Sequence, residues 1–190
     1  MSSTANEILD SAERLTRSEG YNGFSFRDIA AEVGIKSASV HYHFPTKAGL
    51  GAAVARRYTD RFMAALGAPE DTDRTPDDLL QQYVSLYRAS LADDGLMCLC
   101  GMLAAEVASL PQEVAAEAKR FFEKNLDWLV RVLSRPNAVT ADGQEQARTR
   151  ALHLIATLEG AMLVARTLNG PADFDDIVRE FTRRNPPTVN

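Results

Sequence analysis

Between Phe24 and Leu50 the chain reads FSFRDIAAEVGIKSASVHYHFPTKAGL, a helical segment, a tight turn, a second short helix and the start of a third. Ser25 is placed to cap the first segment, with Asp28 three residues on as in a capping box. Ile29, Ala30 and Val33 fall on one helical face, and Gly34 ends the segment because glycine takes the left-handed cap without a Cβ penalty. Ile35 plugs the turn. Ser37 is placed to cap the next segment, which Pro45 stops just after Phe44. Thr46 then caps a third helix with Lys47 in its first turn.

If Val40 points inward, the helical period turns Ala38 and Tyr42 outward and leaves Ser39 and His41 on the flanks. A face of small, hydroxyl, imidazole and phenol groups is poor core material. It suits base edges and phosphates, because hydroxyls donate or accept, a methyl meets thymine, and rings donate to phosphate. The residues expected at base edges or sugars are Ser37, Ala38, Ser39 and His41; Tyr42, His43 and Lys47 are expected at phosphates. Arg27 is placed to reach either, and Lys36 and Thr46 complete the candidate DNA-contacting set. A cation at a helix N-terminus is unfavourable in isolation, and a phosphate bound there would explain Lys47.

These residues resemble the DNA-binding domain of the TetR family of bacterial transcriptional regulators. The resemblance is carried by Gly20 and Phe24, by Asp28-Ile29-Ala30, by Val33-Gly34-Ile35, by Val40-His41-Tyr42-His43-Phe44, and by Lys47 and Leu50. Lys36 and Ser39 stand where the family often has a small hydroxyl residue and a Gly or Thr, and His41 stands where Tyr is common, so no operator preference is carried over. The resemblance implies an all-α fold, with a three-helix helix-turn-helix domain followed by a helical domain for effector binding and dimerisation. It also implies a homodimer on a pseudo-palindromic double-stranded operator. The expected function is a repressor released by a small, largely apolar effector; activation is the open alternative.

Charge and composition bear on that expectation. The net charge of −5 looks wrong for a DNA binder. Residues 1–66, however, hold eight Lys and Arg against seven Asp and Glu, while the remainder holds 13 against 19. From Lys36 to Arg61 there are five bases (Lys36, Lys47, Arg56, Arg57, Arg61) against Asp60 alone, a basic stripe of the kind DNA attracts. The expected division is therefore 1–66, with the helix-turn-helix at about 26–45, and 67–190. No secretory signal or apolar run of membrane-spanning length is visible, so a cytoplasmic location is expected. Without a Gly-rich phosphate loop, metal cluster or nucleophile elbow, neither an enzyme nor a cofactor or metal is expected.

The rest of the chain reads as helices. Thr4 with Glu7 suggests a capping box for the first, which ends near Gly20, and the helix from Lys47 extends to Leu66. Thr75-Pro76 opens another that Gly95 breaks; Cys98 to Leu110 forms the next, and Pro111 opens its successor. A loop from Ser134 to Gly143 precedes a long helix from Gln144 to Asn169, apolar on more than one side, and a last helix from about Phe174 to Arg184. Tyr83, Tyr87, Met102, Leu103, Glu106, Phe122, Asn125, Trp128 and His153 are the candidate effector-pocket residues, large apolar groups interspersed with a few polar ones. For each of them, core packing or a surface position is the alternative, and a hydrogen-bonded place in the core is expected of His153. Cys98 and Cys100 point to nearly opposite sides of a helix, so a disulfide between them would be strained. A helix N-terminus at Cys98 would lower its pKa and suit an electrophile- or oxidant-sensing repressor; the alternative is two small buried hydrophobes.

Overall fold

The computed structural model describes residues 3–135, 144–168 and 170–184. Among them are nine α-helices and no strand. These are α1 (Ser3–Glu19), α2 (Phe26–Val33), α3 (Ser37–His43), α4 (Lys47–Leu66), α5 (Pro76–Asp94), α6 (Leu99–Ala105), α7 (Gln112–Leu133), α8 (Gln144–Thr167) and α9 (Pro171–Arg184). The 136–143 part of the expected loop and the C-terminal PPTVN lie outside the described residues, as does Asn169.

The helix boundaries follow the local signals with a few shifts. Ser25 and Asp28 form the full reciprocal capping box, and Gly34 closes α2 at φ 76°. Thr75 and Asp78 repeat the box at α5, with Pro76 inside the first turn. The first helix begins at Ser3, one residue before the expected cap, and Ser3 Oγ rather than Thr4 reaches Glu7, at 3.0 Å. α9 begins at Pro171, whose fixed φ suits a first turn, rather than near Phe174. The single helix expected over 98–110 breaks at Glu106. A 3-10 turn at Val107–Ser109 follows, with Ser109 N and Oγ both donating to Glu106 O, at 2.8 and 3.0 Å.

The chain forms two compact units. One is the chain up to Arg61 together with Cys98–Phe122; the other is Phe62–Met97 together with the chain from Glu123 on. Segment 98–122 thus packs with helices from which Phe62–Met97 separates it in sequence.

In the first unit, Ile8, Leu9, Ala12 and Leu15 of α1 are buried with Phe26 and Ile29 of α2, Val40 of α3 and Leu50, Val54 and Tyr58 of α4. Leu99, Cys100 and Leu103 of α6 and Val114, Ala118 and Phe121 of α7 are buried in the same unit, and the rings of Tyr58 and Phe121 meet at 5.7 Å. In the second unit α8 packs most extensively on α9, and α5 contacts both. The α5–α9 contact includes a bidentate pair, Arg88 Nε and Nη2 to the Asp175 carboxylate at 2.7 and 2.9 Å.

Candidate nucleic-acid interface

The helix-turn-helix is assembled from local signals and one buried anchor. Gly34 N and Ile35 N both donate to Ala30 O, which folds the chain back sharply at the end of α2. In α3, Val40 is fully buried, while Ala38, His41 and Tyr42 are exposed and Ser37, Ser39 and His43 half-buried. Tyr42 is 83% exposed, a fraction that sets its ring outside any core. The His41 ring stands edge-on to Phe26 of α2 at 4.7 Å, so α2 fixes the imidazole while its other edge stays accessible. Tyr42 and His43 make a similar edge contact at 5.2 Å.

Two sequence expectations change here. Ser37 does not cap α3: Lys36 occupies the cap in extended conformation with no side-chain cap bond, and Ser37 is the first helical residue. Thr46 does cap α4, accepting from Gly49 N at 3.0 Å. Lys47 departs further from its expected place. Its ammonium donates to Phe24 O and lies over the rings of Tyr21 and Phe24, 4.7 and 4.3 Å from their centroids. Burial lowers its pKa, against the opposing pull of the Glu106 and Asp28 carboxylates. The cation is committed to the fold, with its half-buried side chain turned onto the loop before α2.

The basic stripe on α4 is likewise committed. Arg56 Nε and Nη2 donate to Glu117 Oε1 of α7 at 2.9 and 2.6 Å. Arg57 Nη2 pairs with Asp10 at 2.8 Å and Glu13 at 3.2 Å, and Arg61 Nη2 pairs with Glu13 at 2.5 Å. Glu13 is buried on α1, so two arginines neutralise a carboxylate that would otherwise be stranded. Arg27 on α2 and Lys36 at the cap of α3 are exposed, and no carboxylate holds them among the described residues. Glu13 and Glu117 escaped the sequence reading. The signal that points to Glu13 is an acid four residues after Leu9, on the same face of the first helix.

Comparison with known proteins decides the family. Residues 8–54 match the profile of bacterial regulatory proteins of the tetR family, and residues 76–180 match the C-terminal domain of LmrA/YxaF-like transcriptional regulators. A TetR transcriptional regulator from Legionella pneumophila is 34% identical over 97% of this chain and 98% of its own, with a TM-score of 0.87. The chain belongs to the TetR family of bacterial transcriptional regulators. A second TetR-family regulator, from Agrobacterium tumefaciens, is 35% identical over 96% of this chain and 97% of its own, also at a TM-score of 0.87. IcaR, the negative transcriptional regulator of the biofilm operon icaADBC in Staphylococcus aureus, is 45% identical over 42 residues. That match spans 22% of this chain and 23% of IcaR.

The candidate effector-pocket residues of this TetR-family chain divide between the two units. Tyr83, Tyr87 and Trp128 form a buried aromatic cluster with Phe62 in the second unit. Tyr83 stacks on Trp128 at 5.8 Å, and the Phe62 ring meets Tyr83 and Tyr87 edge-on at 5.9 and 5.7 Å. Tyr87 Oη donates to Glu159 at 3.4 Å, and Asn125 is buried in the same unit. Trp128 Nε1 donates to Gly67 O at 2.9 Å. His153, expected in the core, is exposed on α8. Met102, Leu103, Glu106 and Phe122 belong to the first unit. The Glu106 carboxylate accepts from the backbone of Tyr21 and Asn22.

Cys98 stands at the α6 N-terminus, as expected, and Gly101 N donates to its Sγ at 3.4 Å. Both thiols are nonetheless buried, Cys98 at 1% exposure and Cys100 at 0%, which withholds them from a soluble oxidant. Burial, with Cys98 beside it, also holds the Tyr58 hydroxyl well above the ordinary phenol range. Among the described residues no cluster of His, Cys, Asp and Glu is placed to hold a metal ion, and no helix is long and apolar enough to cross a membrane.

Proposed function

We propose that the chain acts as a homodimeric repressor that lays α3 in the major groove of a pseudo-palindromic operator. The observation that carries this reading is the contrast within α3: Val40 is sealed in the core while Ala38, His41 and Tyr42 face solvent on a helix fixed by its neighbours. Ser37, Ala38, Ser39 and His41 are assigned to base edges or sugars; Tyr42 and His43 are assigned to phosphates, with Arg27, Lys36 and Thr46 beside them. Repression is preferred over activation because IcaR, a negative regulator, shares a 42-residue stretch at 45% identity. Binding to chromosomal DNA places the chain in the cytoplasm.

Two recognition helices must be about 34 Å apart to enter successive major grooves, which calls for a two-fold dimer. We assign its interface to α8 and α9, keeping the functional division at 1–66 and 67–190. α8 leaves Leu152, Leu163 and Val164 exposed, and Leu168 just beyond its end is exposed too; Leu152 and Leu163, the latter at 56%, lie on the side away from the buried Leu154, Leu158 and Met162. A Cβ at Gly160, on the same helix, would meet nothing within 4 Å, so a second helix has room to approach. The effector is assigned to the second unit, around Tyr83, Tyr87, Asn125 and Trp128. A ligand there shifts the balance between operator-bound and free forms only by its differential affinity for the two.

The test is native mass spectrometry of the purified chain, followed by binding to the DNA upstream of its own coding sequence across a salt series. A dimer with sequence-selective, salt-dependent binding supports the reading. A monomer, or binding indifferent to sequence, would end it.

A further inference from the structure

Gly20, at φ 85°, turns the chain so that the next two backbone N–H groups point to one side. That nest is filled by the Glu106 carboxylate. Tyr21 N donates to Oε1 at 2.8 Å, Asn22 N to Oε2 at 3.1 Å, and Asn22 Nδ2 to Oε2 at 2.6 Å. Asn22 Nδ2 also reaches Ser109 Oγ at 3.1 Å. A Cβ at residue 20 would lie 2.0 Å from Oε1, so the carboxylate occupies space that only glycine leaves open.

The other end of the same loop is held by a cation, since Lys47 donates to Phe24 O and covers the Tyr21 and Phe24 rings. The next residue, Ser25, caps α2, and Phe26 carries the ring against which His41 is set. An unbroken run of contacts therefore leads from Glu106 to the exposed edge of α3. All of it lies within the first compact unit, although Glu106 and Tyr21 are 85 residues apart in the chain.

We propose that Glu106 is a positioning residue for DNA reading. Its carboxylate is a built-in anion ligand of the Tyr21–Asn22 nest and, together with Lys47, sets the start of α2 and through it the aim of α3. This rests on the assignment of α3 as the DNA-contacting helix. Three donors converge on two carboxylate oxygens, so a glutamine would turn its own NH2 toward one of them. An alanine instead vacates the nest near the half-buried Lys47 ammonium, leaving a place that a small carboxylate can refill.

The experiment compares the wild-type chain, Glu106→Ala and Glu106→Gln for binding to a DNA duplex selected on the wild type. It is run in chloride and in formate at matched ionic strength, with thermal melting of each sample. The expected result is a Kd at least tenfold weaker for both variants, recovery of Glu106→Ala but not of Glu106→Gln in formate, and a wild type indifferent to the anion. Wild-type affinity in Glu106→Ala, or a loss that formate leaves untouched, would overturn the proposal. If Glu106→Ala does not fold, Glu106→Gln decides, since a Kd within twofold of wild type would also overturn it. If the wild type selects no duplex, the DNA assignment has failed on its own. A formate-dependent rise in the melting temperature of Glu106→Ala then still supports the nest, and its absence removes it.

Discussion

α3 and α4 follow one another in the chain and between them carry most of the polar groups that the sequence directs to DNA, yet they use those groups in opposite ways. On α3 the polar side chains stand on a buried Val40 and face solvent. On α4 the cations face acids of the same unit: Arg56 meets Glu117, Arg57 meets Asp10 and Glu13, and Arg61 meets Glu13. Lys47, at the head of α4, is turned onto a backbone carbonyl. A run of bases in sequence is thus a poor guide to nucleic-acid contact when the acids that answer it come from other helices. Among the described residues no carboxylate answers Arg27 of α2 or Lys36 at the cap of α3.

The largest effect expected from this contrast is on stability. Glu13→Ala takes the buried carboxylate from Arg61, leaves Arg57 its pair with Asp10, and should cost about 2 kcal/mol in denaturant unfolding. That is below the usual penalty for breaking a buried pair, because Arg61 is half exposed. An unchanged unfolding midpoint would show the α1–α4 network to be ornamental to the fold. On the reading helix the effect should move from stability to affinity. His41→Ala is expected to weaken operator binding about tenfold, the range of one lost base contact, while leaving the melting temperature within a degree or so. Loss of stability in place of affinity would reduce His41 to a packing partner of Phe26.

Salt dependence sharpens the comparison further. Arg27→Ala and Lys36→Ala should each lower the slope of log K against log salt by about 0.9, whereas Arg56→Ala should leave it unchanged. Lys47→Met is expected to weaken binding with the slope intact, since its cation already holds Phe24 O. A slope lowered by about one in Lys47→Met would return that residue to the DNA backbone.

The smallest effect concerns pH. Arg14 hydrogen-bonds Glu32 across α1 and α2 and holds its carboxyl below the usual range, and Arg88 does the same to Asp175 in the second unit. A carboxylate with a depressed folded pKa contributes fully above its unfolded value, about 4.3 for Glu and 3.9 for Asp. The contribution is lost as pH falls through the folded value. Melting temperature should therefore decline below about pH 4, and Glu32→Gln should make that decline shallower. These pairs are partly exposed, so the change is modest.

What the sequence alone determined about this protein is whatever depends on neighbours three or four residues away. The Ser25–Asp28 box, the helix start at Thr75-Pro76, the glycine stop at Gly34 and the inward turn of Val40 are legible because a helix repeats over that distance. Asp28, Gly34 and Val40 are also among the residues that carried the family resemblance. The tertiary structure alone decided which acid answers each α4 arginine, why the helix after Cys98 breaks at Glu106, and that His153 faces outward. It also assigned 98–122 to the unit that holds α1, α2 and α3. These outcomes rest on pairings between residues as far apart as Tyr21 and Glu106, where no spacing rule operates. At that range a charged side chain is placed by the partner that packing brings to it, and a lysine or glutamate reads the same in sequence whether that partner is a phosphate, an arginine or a backbone amide.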